Sequence, residues 1–116
     1  MTNTHINVGG HKVTTNKVGQ VHTATVVSPF TGNVTWCVTN GFCYVQIWNL
    51  SNSYSDGVQR TVATGLPKAK MGGSNCYIDQ IFYVFEGSTV LTLECTSAGL
   101  SYTSYIYPVA DDWVES

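Results

Sequence analysis

The sequence predicts a single all-β domain, an antiparallel β-sandwich or jelly-roll-like barrel of about seven to eight short strands. Hydrophobic residues recur at every second position rather than with a helical period, and β-branched and aromatic residues dominate the candidate elements. Gly, Asn, Ser and Pro separate those elements at short intervals, as turns do. A chain of 116 residues is enough for one such domain and its core, with no room for a second.

Met1 to Thr15 carries no convincing alternation and is read as a linker, or as an arm that pairs only within an oligomer; the domain is read as residues 16–116. A strand is expected over Val18 to Val27. The clearest element follows in Gly32 to Leu50, where Asn40-Gly41 occupies the central positions of a two-residue reversal, the strongest short-range signal for a type I′ hairpin. That turn dictates a register in which Thr39 faces Phe42, Val38 faces Cys43, Cys37 faces Tyr44, Trp36 faces Val45 and Val34 faces Ile47. Because side chains alternate across a strand, Val34, Trp36, Val38, Cys43, Val45 and Ile47 fall on one face, the expected core side. Asn33, Thr35, Cys37, Thr39, Phe42, Tyr44, Gln46 and Trp48 fall on the other. Further strands are expected over Val58 to Thr64, Cys76 to Phe85, Thr89 to Thr96 and Leu100 to Tyr107. Gly87-Ser88 turns one hairpin, with Cys95 pointing inward, and Ser97-Ala98-Gly99 makes the next reversal. Asn49 to Gly57 and Gly65 to Asn75 read as surface loops, where function on a β scaffold is usually carried.

Charged residues make up only 10% of the chain, far below the usual quarter or so, and Ser, Thr, Asn and Gly fill the difference. With five basic and seven acidic residues, and no basic cluster denser than Lys68 and Lys70, there is no electrostatic footprint for nucleic acid. No apolar run approaches the roughly 20 residues that span a bilayer, so membrane insertion is not expected. The four cysteines, Cys37, Cys43, Cys76 and Cys95, lack the spacing of a zinc site. Cys37 and Cys43 point to opposite faces of the hairpin and cannot reach each other. Cys43, Cys76 and Cys95 occupy apolar strand positions and read as small buried hydrophobes, with pairing of Cys95 to Cys43 or Cys76 left open.

The sequence offers no catalytic signature. Its acids, Asp56, Asp79, Glu86, Glu94, Asp111, Asp112 and Glu115, are scattered, whereas a glycosidase needs two carboxyl groups about 5 to 9.5 Å apart. His5, His11 and His22 fit no zinc pattern and read as exposed or hydrogen-bonded side chains, and no nucleophile elbow is present. No cofactor or metal is expected. The aromatics Phe42, Tyr44 and Trp48 on the second hairpin face form an apolar patch, covered either by a second sheet or subunit or by the apolar face of a ligand.

The strings Gly32-Asn33-Val34-Thr35-Trp36, Gly41-Phe42-Cys43-Tyr44-Val45-Gln46, Val62-Ala63-Thr64-Gly65-Leu66-Pro67 and Ser104-Tyr105-Ile106-Tyr107-Pro108-Val109-Ala110 occur in that order. Over about Gln20 to Ala110 the chain resembles the C-terminal head (receptor-binding) domains of tail-fibre and receptor-binding proteins of bacteriophages that infect Gram-positive bacteria. It departs from them in its four cysteines and in carrying no fibre shaft, as a stand-alone domain or a fragment of a longer fibre protein would. The resemblance implies a virion-tail protein assembled in the bacterial cytoplasm, a homotrimer, and attachment to a cell-surface glycan without cleavage. Under that reading Trp48, Asn49, Asn52, Tyr54 and Asp56 are the expected ligand-binding residues, the carboxylate accepting sugar hydroxyls beside an aromatic wall. Phe42 and Tyr44 are the expected oligomer interface. Two other readings stand beside it: a structural or protein-protein assembly module of a phage or tailocin-like apparatus, and a small polysaccharide hydrolase.

Overall fold

The structure, a computed structural model of the single chain, describes residues 5–8, 11–14, 20–51, 54, 56–77, 80–95 and 100–115, with backbone alone at 5–8, 11–14, 75–77, 80, 95 and 100–101. The described residues form strands and turns and no helix. In chain order the strands are β1 (His5–Val8), β2 (His11–Thr14), β3 (His22–Thr23), β4 (Thr25–Val26), β5 (Thr31–Thr39), β6 (Phe42–Ser51), β7 (Gln59–Thr64), β8 (Gly73–Tyr77), β9 (Gln80–Val84), β10 (Leu91–Cys95) and β11 (Leu100–Pro108). One antiparallel sheet has the order β11-β6-β5-β3 and a second the order β4-β7-β10-β9-β8, while β1 and β2, among the described residues, form a separate two-stranded sheet. The two larger sheets share one core, as in a β-sandwich.

The β5–β6 hairpin has the register its turn dictates. Asn40 and Gly41 take φ of 57° and 85°, the pair of positive values that a type I′ turn requires. Trp36 stands opposite Val45, Val38 opposite Cys43 and Val34 opposite Ile47. Val34, Trp36, Val38, Cys43, Val45 and Ile47 are all buried, joined from β11 by Tyr105 and Tyr107. The facing sheet supplies Val62, Phe82, Val84, Leu91 and Leu93. Each such side chain withdrawn from water contributes about 1.5 to 3 kcal/mol before its entropy cost is subtracted. Cys43 is buried inside and Cys37 lies on the outer face, as the alternation required.

Near its end the hairpin is broken by a bulge. Asn49 is left-handed at φ 50°, the pairing register shifts between Thr31 and Asn33, and Leu50 returns to the core behind the exposed Asn49.

Three expectations about elements need correction. The strand expected over Val18 to Val27 is two short strands in different sheets. Ala24 N still bonds Val34 O of β5, but Val27 N bonds Val62 O of β7, so the chain crosses between layers at a buried corner. The strand expected from Cys76 to Phe85 is a hairpin, with β8 pairing to β9 from Gly73↔Val84 to Tyr77↔Gln80, so Gly73 to Asn75 are strand rather than loop. The stretch from Gly65 is no surface loop in its first half: Leu66 and Ala69 are buried, Ala69 bridges to Val109, and the Tyr107 hydroxyl donates to Pro67 O at 2.7 Å. A buried carbonyl needs such a donor. β9 and β10 form the expected hairpin around Gly87, whereas Cys95's side chain and residues 96–99 fall outside the described residues.

Candidate functional site

Not one residue of β3, β5, β6 or β11 is Asp, Glu, Lys or Arg. The antiparallel pairing of β6 with β11 sets Phe42 opposite Pro108, Tyr44 opposite Ile106, Gln46 opposite Ser104 and Trp48 opposite Tyr102. Cross-strand pairs on one face lie within side-chain reach, so two rows of large residues merge into one surface. Phe42 is 45% exposed, Tyr44 42%, Tyr102 43% and Ile106 53%. Trp48 is half-buried, its ring 5.7 Å from that of Tyr102. Toward β3 the same face sinks into a depression of about 420 Å³ lined by Val21, Thr35, Trp36, Cys37, Tyr44 and Gln46. Its walls carry hydroxyl and amide groups and one exposed ring, suited to a neutral ligand with both hydroxyls and apolar C–H surface.

The Asp, Glu, Lys and Arg side chains sit outside these strands, and among them Asp56 pairs with Arg60, Lys68 with Asp112, and Lys70 with Asp111. Arg60 binds Asp56 through two bonds of 2.8 Å, and Val58 N donates to the same carboxylate at 3.2 Å. These donors, the Arg60 guanidinium foremost, hold the Asp56 carboxyl far below the usual carboxylate range. The Arg60 guanidinium also lies 3.6 Å from the centre of the half-buried Tyr54 ring, which packs 5.9 Å from Phe30. Lys68 pairs with Asp112 at 3.0 Å and Lys70 with Asp111 at 3.3 Å, tying the 65–72 segment to the chain after β11. The Lys68 bond lowers the Asp112 carboxyl as well.

One carboxylate among the described residues is inside. Glu115, 1% exposed, accepts from or donates to His22 Nε2 through Oε2 at 2.6 Å, while its Oε1 has no hydrogen-bond partner. His22 stacks on Trp36 at 4.2 Å, and Trp113 meets Trp36 edge-on at 5.9 Å. This cluster anchors the end of the chain over β3 and β5 and closes the core beneath the depression. Cys43, beside Tyr107, is buried as well; burial pushes its thiol up to about 12, and the Tyr107 hydroxyl opposes that rise only in part.

The residues expected to bind ligand therefore divide. Tyr54 and Asp56 are brought together, with Arg60 between them, so both Asp56 oxygens already serve an internal ion pair. Trp48 belongs to the outer face with Tyr102, and Asn49 is the exposed left-handed residue of the bulge. Asn52 lies outside the described residues. Phe42 and Tyr44 are exposed on the outer face, and no second sheet of the described chain covers them. Sequence reasoning missed Tyr102 and Ile106, although continuing the alternation of β6 into a paired β11 would have found them. It missed Arg60, which stands four residues after Asp56, and it missed the His22–Glu115 contact, for which 93 residues of separation leave no local signal.

The described residues contain no cluster of three or more His, Cys, Asp or Glu able to hold a metal ion. No family model matches the chain, and neither a curated protein nor a solved structure matches it.

Proposed function

We propose that this domain is a non-enzymatic attachment module that binds a bacterial cell-surface saccharide as a homotrimer, the head of a phage tail fibre. The observation that carries this reading is the composition of one sheet face: no Asp, Glu, Lys or Arg in any of its strands, with Phe42, Tyr44, Trp48, Tyr102 and Ile106 set among Thr35, Gln46 and Ser104. Sugars are held by aromatic rings against their C–H faces and by neutral donors and acceptors at their hydroxyls. The Trp48–Tyr102 pair supplies the stacking wall, with Gln46 and Asn49 beside it as amide donors and acceptors. Asp56 contributes less than the sequence suggested, since three donors already occupy a carboxylate with about four lone-pair sites. A neighbouring subunit covers the Phe42, Tyr44 and Ile106 end, and three weak sites on one particle gain avidity of about 10² to 10⁴.

Binding to host cells and to an array of wall and capsular glycans tests the reading, with sedimentation mass measured on the same sample. Binding that is lost in Trp48→Ala and Tyr102→Ala at unchanged melting temperature supports it. A protein that binds no cells or glycans, yet self-associates through Phe42, Tyr44 and Ile106, supports the assembly-module reading, which the exposure of those three side chains favours. New reducing ends released from host polymer would move the assignment to the hydrolase class.

A further inference from the structure

The β1–β2 ribbon and the β11 edge each lack something that the other can supply. β1 and β2 are four residues each, in register from His5↔Thr14 to Val8↔His11, and they make a sheet of their own. A two-stranded ribbon is at best marginally stable in water and becomes stable when a third strand or a packed layer joins it. β11 is the outermost strand of its sheet and runs nine residues. It pairs with β6 without a register shift, contains no charged residue, and has its only proline at its last position. Natural edge strands are blunted by shortness, charge, proline or a bulge, and β11 uses none of these along its length. Its direction is known from its bonds: Val109 N reaches inward to Gly41 O of the β5–β6 turn, whereas Pro108 O faces outward and accepts from Lys70 N. By alternation the main-chain groups of Tyr102 and Ile106 also face outward, and the 69–70 segment caps only the Pro108 end.

We infer that the ribbon is an exchange arm, and that it completes its sheet by adding to the β11 edge of a second copy of this chain. The occupant is a second copy rather than the chain's own arm because of where the arm is attached. The chain enters the sheet at β3, the edge opposite β11. Three strand spacings separate those edges, about 14 Å, so an arm returning to its own β11 must pass over or around the sheet it has just entered. Addition to a neighbour crosses nothing. It joins the β3 side of one copy to the β11 side of the next, a head-to-tail contact that closes into a ring when the rotation allows. The inference draws on backbone pairing alone and does not depend on the saccharide reading.

The test uses the full chain at roughly 100 µM, where micromolar self-association is saturated, and compares it with a full-length Val13→Pro variant, whose ring and missing N–H disrupt the ribbon. Sedimentation gives the mass, and hydrogen exchange resolved by NMR reports individual amides. The wild type is expected to be oligomeric and the variant a single chain. Tyr102 and Ile106 amides should exchange at least about tenfold faster in the variant, while Val45 and Ile47 keep their protection. A monomeric wild type would overturn the inference. So would a variant that keeps the wild-type mass, or one that loses it with Tyr102 and Ile106 exchange unchanged, which would place the arm on another edge.

Discussion

Replacing Gly32 by alanine probes the bulge that turns Trp48 outward and Leu50 inward. A Cβ at Gly32 would lie 2.9 Å from Asn49 O, 2.9 Å from Leu50 Cα and 3.0 Å from Trp48 O. All three are backbone atoms, so no change of rotamer relieves the overlap, and β5 and β6 must separate. Gly32 also sits at φ +141°, which side-chain-bearing residues rarely adopt. The conformation costs an alanine about 1 to 3 kcal/mol, and the forced backbone shift adds an amount like that of overpacking a core, for a total of about 2 to 5 kcal/mol. Against a typical domain stability of about 5 to 15 kcal/mol, that lowers the melting temperature by on the order of 10 °C. Gly57 provides the control, because it has φ +73° and no atom within 4 Å of its added Cβ. Gly57→Ala should therefore lose only the conformational part, about 1 kcal/mol. Thermal and urea unfolding followed by tryptophan fluorescence measures both. Equal losses at the two positions would refute the claim that the close approach of the two backbones sets the bulge.

Three further outcomes are expected. Tyr107→Phe removes the donor to the Pro67 carbonyl and should destabilise the domain by about 1 to 2 kcal/mol in urea titration, without altering the far-ultraviolet spectrum. The Asp56 carboxyl, depressed by Arg60, should remain ionised at about pH 3 in a carboxyl NMR titration. Because its folded value lies below the unfolded one of 3.8, its stabilising contribution is complete above that pH and disappears as pH falls toward the folded value. Asp56→Asn should abolish this low-pH signal, and an ordinary midpoint for Asp56 contradicts the ion-pair geometry. Finally, the buried Cys43 thiol, pushed up to about 12, should resist alkylation at about pH 8.5 in the native protein and react on denaturation, as peptide mapping would show.

What the sequence determined by itself was local. Asn40-Gly41 selected a turn whose φ values only those residue types adopt easily, and the turn set the register of β5 against β6, which decided the face of every side chain from Val34 to Ile47. The aromatic outer face and the separation of Cys37 from Cys43 follow from that register. Period-two alternation, however, does not say where a strand changes sheets. Ala24 keeps the pattern of one continuous strand while its neighbours pair with β5 on one side and β7 on the other, and β8 and β9 read as one element until their pairing is seen. The tertiary structure alone decided which distant groups meet. It placed Glu115 under His22, set Arg60 between Tyr54 and Asp56, and laid β11 along β6 so that Tyr102 and Ile106 extend the aromatic surface. Turn chemistry acts over a few residues and leaves a mark in the string, whereas burial of a carboxylate or the choice of a neighbouring strand depends on the free energy of the whole packed core, which no short window contains.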